Sequence, residues 1–485
     1  MTARALLVVV VSVPALAGLA SWRVPRPAAA GLTIGASAAC LAAALVLAGQ
    51  GPAVALGSLL RVDALSKVFL LATALVYATG ALFAAGWVPL GTGPGPAAYG
   101  RRFFAGFNLF AWSMLGALCL DGFALLWVAV EVTTVVSALL VGIDDTEAAT
   151  EAAWKYLLLA SLGLGIALLA TVVLYHAGAR VLGPAYQLSF ERVLAAAPRF
   201  SPPAAQLAFA LAVLGYGTKM GLVPVHTWLP DAHSEAPTPV SALLSGSLLS
   251  VSFYAILRFD EVARRAAGPT FCADVLAAFG FASLGLAACY MASQSDLKRL
   301  LAYSSVEHMG ILAVGASFAS PVALAGVLLH VLAHAAAKSG AFFGAGSLLR
   351  RFGTKQLAGI TGGVYALPVS GPLTLAAVAG LAALPPSGLF RSEFLIVSGG
   401  LAGPGRAAAL ALVPLAVLAS LGLGWFGLGA LLGTPAAGTQ RGEPSAWAAG
   451  AMAAALAALA VLGLHPPGPL SELLARAAHQ LGEAR

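Results

Sequence analysis

The chain has 485 residues, 60% of them hydrophobic and only 9% charged, with a mean hydropathy of +0.91. Soluble proteins carry about 25% charged residues, which excludes a water-soluble domain; long continuous apolar stretches, without alternation, exclude a membrane β-barrel. The net charge of +7 fits basic loops facing anionic lipid, and with no basic stripe interleaved with aromatics, no nucleic-acid partner is expected.

In chain order, apolar stretches long enough to cross about 30 Å of hydrocarbon fall at 4–20, 28–49, 64–88, 103–120, 122–142, 154–176, 203–225, 238–258, 271–291, 301–318, 321–348, 364–401, 407–432 and 446–464. They predict an all-α polytopic membrane protein with about fourteen transmembrane helices. Arg4 and the apolar run behind it have the look of a signal peptide, but a second span follows at once, so the run is read as the first membrane helix. In the largest loop an amphipathic segment, 188–197, is expected to lie along the interface. The twelfth stretch is too long for one plain span, and Pro385-Pro386 breaks it. Arginine and lysine divide evenly between the two sets of loops and leave the orientation open. Cys40, Cys119, Cys272 and Cys289 form no C-x-x-C pair. They are read as buried small apolar residues, with no cofactor, redox centre or catalytic group expected.

The charges inside the spans carry the functional information. Lys219 sits in an otherwise uncharged apolar run, and a lysine at bilayer depth costs roughly 2.5–3.5 kcal/mol on insertion scales. Glu131, Glu307, His308, His330, His334, Lys338 and Glu393 also fall inside apolar spans. Such a string of acids, lysines and histidines reads as a proton path, with Glu131, Lys219, Glu307, His330, His334, Lys338 and Glu393 as its members. His330, His334 and Lys338 recur every four residues and share one helix face. Histidine titrates near neutrality, which suits a relay. Histidines four apart also bind zinc, but there is no H-E-x-x-H and Lys338 on the same face repels a cation, so no metal is expected. Ser304 or Ser305 with Glu307-His308 is no hydrolase triad, because adjacent helical residues point in different directions. Asp231-Ala-His233-Ser-Glu235 is read as a capped loop, and Asp144, Asp145, Glu147 and Glu151 as a solvated acidic face.

Two spans are interrupted beside an ionisable residue. The seventh reads Gly215-Tyr-Gly-Thr-Lys219-Met-Gly-Leu-Val-Pro224, and the twelfth Leu384-Pro-Pro386-Ser-Gly-Leu-Phe-Arg391-Ser-Glu393. Proline removes a backbone donor, and the freed groups must be met by water or side chains. An offset of five helices relates Glu131 to Glu307 and Lys219 to Glu393. This predicts two inverted five-helix repeats with helices 7 and 12 broken, the pattern of a transport site. The expected division is 1–102 for flanking helices, 103–260 and 261–435 for the repeats, and 436–485 for a last helix and short tail.

The run Lys219…Val223-Pro-Val-His226-Thr-Trp-Leu-Pro-Asp-Ala-His233-Ser-Glu-Ala-Pro-Thr-Pro-Val-Ser-Ala242 resembles the antiporter-like membrane subunits of respiratory complex I and its relatives. Residues 300–310 (Leu-Leu-Ala-Tyr-Ser-Ser-Val-Glu-His-Met-Gly) are similar to a second motif of the same family. Glu307-His308, residues 150–156 and residues 241–246 look most like the component F group of hydrogenase-4 proteins. The resemblance implies proton translocation, with Glu131 and Lys219 as a switching ion pair, His330, His334 and Lys338 as the central relay, and Glu393 at the exit. It also implies partners: other membrane subunits of a hydrogenase or complex I-like assembly and peripheral redox subunits, in the inner (plasma) membrane of a bacterium or archaeon. The function implied is that of a non-catalytic membrane subunit of a redox-driven complex, a membrane-bound nickel–iron hydrogenase; the rival is a subunit of a multi-subunit cation/proton antiporter. Relatives carry a lysine where this chain has Ser250, or a histidine where it has Ser245. The link from Lys219 to His330 is therefore expected to run through water, Ser241, Ser245, Ser247, Ser250 or Glu307.

Overall fold

A computed structural model describes residues 2–88 and 94–482. Two helices, α1 (Ala3–Ser21) and α2 (Arg26–Ala48), precede a short antiparallel ribbon of β1 (Ala53–Ala55) and β2 (Leu60–Val62), with Ala53 opposite Val62. The rest is helical: α3 (Ala64–Trp87), α4 (Pro94–Cys119), α5 (Phe123–Val141), α6 (Glu147–Leu182), α7 (Phe190–Ala196), α8 (Pro202–Met220), α9 (Trp228–Glu235), α10 (Thr238–Leu243) and α11 (Leu249–Ala267). Then follow α12 (Pro269–Met291), α13 (Leu297–Ser317), α14 (Pro321–Phe352), α15 (Gly363–Ala366), α16 (Ser370–Leu381), α17 (Gly388–Leu401), α18 (Arg406–Phe426), α19 (Ala446–Leu464) and α20 (Gly468–Gly482).

Among the described residues, eleven helical stretches are long and apolar enough to cross a membrane, α10 and α11 counting as one through the π turn Leu244–Leu248 that joins them. The chain is thus a multi-pass all-α membrane protein. The eleven leave out α8 and α13, diluted by prolines and Lys219 in the first and by Lys298, Arg299, Glu307 and His308 in the second. They also leave out α16 and α17, the halves of the broken span.

The α10–α11 span is wholly buried and α14 nearly so, whereas α18 shows most of its surface. Large side chains such as Leu158, Leu162, Leu421 and Trp425 face outward on the peripheral helices, as expected where lipid is the solvent. Lipid provides no hydrophobic drive between helices, so close backbone approach through small residues holds them. At the α6–α8 crossing a Cβ on Gly215 would lie 2.5 Å from the Ala167 amide, and at α14–α17 a Cβ on Gly326 would lie 2.8 Å from the Ile396 amide.

Several expectations need correction. The eighth span runs on to Ala267 with Arg258, Asp260, Glu261 and Arg264 buried. These charges continue the helix because they neutralise one another, Arg264 pairing with Asp260 at 2.7 Å and Arg258 with Glu261 at 3.1 Å and Asp63 at 2.7 Å. Residue 260 lies inside α11 and residue 103 inside α4. Cys289 is exposed, because it lies on the outer face of peripheral α12. Residues 231–235 form helix α9: Asp231 pairs with Lys155 and Arg299, Glu235 pairs with Lys355, and His233 is buried against Phe342. Residues 468–482 form α20, packed on α3 and α14.

Candidate functional site

The first helix break places Lys219. Helix α8 ends at Met220, where Gly221 takes the left-handed conformation (φ +85°). A side chain at Gly221 would be strained there, and its amide and that of Leu222 both bond the Gly217 carbonyl at 2.9 Å. Past the cis Val223–Pro224 bond the chain turns into α9, and the Trp228 indole donates to the Thr218 carbonyl at 2.7 Å. Lys219 thus occupies the last turn of α8, where the helix dipole favours a cation.

Lys219 is fully buried and donates to the Val130 carbonyl at 3.0 Å and to the Thr134 hydroxyl, both on α5, with its ammonium 6.0 Å from the Tyr156 ring centroid. Glu131, half-buried on the same helix, accepts from the Ser161 hydroxyl of α6 at 2.9 Å, and its second oxygen has no protein partner. Among the described residues no ion pair joins Glu131 to Lys219. The contact implied by family resemblance is open, because the Val130 carbonyl and Thr134 hold the ammonium while Ser161 holds the carboxylate.

The second break places Glu393. Helix α16 ends at Leu381, Ala383 takes φ +51°, and the cis Pro385–Pro386 bond precedes Ser387, which caps α17 by accepting from the Phe390 amide at 3.2 Å. Ser392 and Glu393 follow in the first turns of α17. Glu393 lines a crevice of about 580 Å³ walled by Ile311, Phe390, Phe394 and Leu412.

Between the breaks lie α13 and α14. Lys338 donates to the Leu301 carbonyl at 2.9 Å and to the Ser304 hydroxyl, so its ammonium, like that of Lys219, rests on one carbonyl and one hydroxyl of a neighbouring helix. His308 Nδ1 lies 3.2 Å from His330 Nε2, and His330 Nδ1 lies 2.9 Å from the Ser392 hydroxyl. The His334 ring sits 5.2 Å from that of His308, with neither nitrogen hydrogen-bonded. Glu307 is buried with one oxygen unpartnered, within electrostatic reach of Lys338 and Glu393. One ligand atom each of His308, His330 and Glu393 lies within 4.8 Å of the others.

The π turn between α10 and α11 packs against α14. Ser245 meets Ser305 at 2.8 Å, while the Ser247 and Ser250 hydroxyls are buried without a protein partner. Ser241 instead donates to the carbonyls of His233 and Ala236. The structure therefore gathers His330 with His308 and Glu393, and Lys338 with Ser304. Lys219 with Glu131 forms a separate station. Sequence reasoning missed His308 as the residue joining α13 to α14, Ser161 and Ser392 as side-chain anchors, and the π turn. His308 had a signal, its place inside an apolar span; the two serines and the π turn had none.

These features define a class: a multi-pass helical membrane protein in which two discontinuous helices hold ionisable side chains beside a buried row of histidines. Residues 121–419 match the family described as NADH:quinone oxidoreductase/Mrp antiporter, transmembrane, and the chain belongs to that family. It is 36% identical over 371 residues to the hydrogenase-4 component F homolog of Methylacidiphilum infernorum (isolate V4), the match covering 75% of this chain and 78% of that one. A chain of respiratory complex I from Thermus thermophilus superposes with a TM-score of 0.75 at 27% identity, over 98% of this chain and all of that one. A chain of the Mrp complex from Dietzia sp. DQ12-45-1b shares the fold, with a TM-score of 0.85 at 21% identity, over 100% of this chain and 98% of that one.

Proposed function

We propose that the chain is the proton-translocating membrane subunit of a redox-driven complex, a membrane-bound nickel–iron hydrogenase related to complex I, in the plasma membrane of a bacterium or archaeon. Its partners on this reading are other membrane subunits and peripheral redox subunits. The likeness to a hydrogenase-4 component F homolog supports the assembly. The observation that carries the proton path is a row of buried polar atoms without protein partners: Glu131 Oε2, Ser247 Oγ, Ser250 Oγ, both His334 nitrogens and Glu307 Oε2. An unpaired buried polar group costs about 1–3 kcal/mol, and water between such groups removes that cost while linking them. Ser250 stands where some relatives carry a lysine, and Ser245 where others carry a histidine.

On this reading Lys219 shuttles between the α5 carbonyl and Glu131. Coulomb attraction at about 4 Å is worth about 4 kcal/mol at an effective dielectric of roughly 20, enough to decide which station keeps the proton. From Lys219 the proton passes by water along the α11 serines to His334 and His308, then to His330 and Glu393. Lys338 and Glu307 set the field beside the histidines. The two five-helix repeats of this reading draw support from the paired breaks and the matched glycine crossings of α6–α8 and α14–α17.

The fold shared with a chain of the Mrp complex favours one other reading, a cation/proton antiporter subunit with no redox partner. Purification of the assembly and identification of its subunits separates them. A hydrogenase large subunit is expected; a set of small antiporter subunits instead would reject the redox-driven reading.

A further inference from the structure

We propose that His308, His330 and Glu393 form a binding site for one divalent transition-metal ion of the zinc type. Two tetrahedral ligand atoms at a zinc–nitrogen distance of about 2.0–2.1 Å stand about 3.3 Å apart, and His308 Nδ1 and His330 Nε2 are 3.2 Å apart. Glu393 offers an oxygen within 4.8 Å of both, a gap that a side-chain adjustment of about 1.5 Å closes to ligand spacing. The three ligands come from α13, α14 and α17, so the site exists only in the fold.

The hydrogen bonds behind the ligands fit the same assignment. Ser392 Oγ donates to the Leu389 carbonyl at 2.8 Å, so it accepts from His330 Nδ1–H and leaves Nε2 unprotonated, accepting from His308 Nδ1–H until an ion displaces that proton. His308 Nε2 is buried without a hydrogen-bond partner, which leaves it free to carry the proton once Nδ1 binds metal. Orienting contacts like that of Ser392 accompany metal-bound histidines. Lys338, the cation on the same helix face, is tied to Leu301 and Ser304 of α13, one turn from His308. His334 is fully buried beside His308 with both nitrogens free of partners. Imidazole ligands select zinc, copper or nickel over sodium, magnesium or calcium. Glu393 also lines the α17–α18 crevice.

A bound ion uses the lone pairs that a proton would need at His330 and Glu393, so a loaded site stops the relay. That consequence rests on the proton-path reading; ion binding does not. The test is zinc titration of the purified assembly against a chromophoric chelator, with cobalt substitution as the spectroscopic check. The expected result is one ion per copy lost at least tenfold in affinity in H308Q, H330Q and E393Q, a weakening of about 10- to 100-fold in S392A, and intense tetrahedral cobalt bands. S392A keeps all three ligands and guards against misfolding of the histidine variants. Zinc uptake unchanged in these variants, or no uptake by the native assembly, would overturn the site. Lost zinc binding in H330Q with proton flux intact would support the site and reject the relay.

Discussion

Two regions bury several ionisable groups each, and they treat them in opposite ways. Around Arg258 each carboxylate is tied to a guanidinium, although Arg258 Nε, Asp260 Oδ1 and Arg264 Nη1 have no protein partner. Asp63 accepts from Arg258 at 2.7 Å on both oxygens, from the Ser66 amide at 2.9 Å and from Gln480 at 3.0 Å. Glu261 accepts from Arg258 at 3.1 Å and from Gln480 at 3.0 Å. The guanidinium lies 4.6 Å from the Phe190 ring and 4.9 Å from the Tyr254 ring. Around His334, in contrast, nitrogens, hydroxyls and carboxylate oxygens stand without protein partners. A group with all its bonds made is fixed in charge and place; one with bonds to spare can take up water or a proton. The presence of ion pairs, more than burial, separates the clasp from the candidate path.

The largest effect should follow from breaking the clasp. Arg258→Ala leaves the buried Glu261 and the partly buried Asp63 without their cation, and such losses cost about 3–5 kcal/mol. Thermal unfolding of the purified protein should show it; a loss below about 1 kcal/mol would mean that the clasp behaves as a surface pair. Lys219→Met should do the reverse. It removes one buried charge and two hydrogen bonds and leaves the melting temperature near that of the parent, while proton flux in vesicles falls about a hundredfold, as for loss of one positioned proton carrier. Unchanged flux in Lys219→Met would reduce the row of polar atoms to a structural feature.

The two regions also differ in how far the sequence revealed them. Every charge of the candidate path stood out because it interrupts an apolar span, and Pro224 and Pro385-Pro386 marked both breaks. What stayed hidden was which of them meet. The four-residue spacing of His330, His334 and Lys338 suggested one continuous line, but folding brings His330 to His308 and Ser392, and Lys338 to Ser304. Those partners come from other helices, and helix-face periodicity says nothing about them. The clasp was nearly invisible. Arg258, Asp260, Glu261 and Arg264 looked like the end of a span, and Asp63 and Gln480 lie far from them in sequence. Only tertiary packing turns that charged patch into buried helix.

A smaller effect follows from acid. Burial alone would push the Asp63 carboxyl up, but the Arg258 guanidinium and the bonds from Ser66, Arg258 and Gln480 outweigh it and hold it down at about 2. An unfolded aspartate titrates near 3.9. The clasp's contribution from this group is therefore present above about pH 4 and lost as the pH falls toward about 2, an amount on the order of 2 kcal/mol. Melting curves between those limits should show the parent losing stability relative to Asp63→Asn. A parallel course for both proteins would mean that Asp63 is not held charged.

The smallest and most discriminating change is Gln480→Ala. Gln480 is the contribution of α20 to the clasp, and its amide bridges Asp63 and Glu261. Both carboxylates keep Arg258 without it, so the loss should be about 1.5 kcal/mol, the lower end for hydrogen bonds to charged groups. It should appear first as faster amide hydrogen exchange in α20, the element left with fewer anchors. Proton flux should stay at the parent level, because no residue of the candidate path touches Gln480. If flux falls while α3 and α11 keep their exchange protection, then α20 transmits to α14, against which it packs, and the two regions form one mechanical unit. If neither exchange nor flux changes, the clasp closes on Asp63, Arg258 and Glu261 alone, and α20 rests on its apolar face.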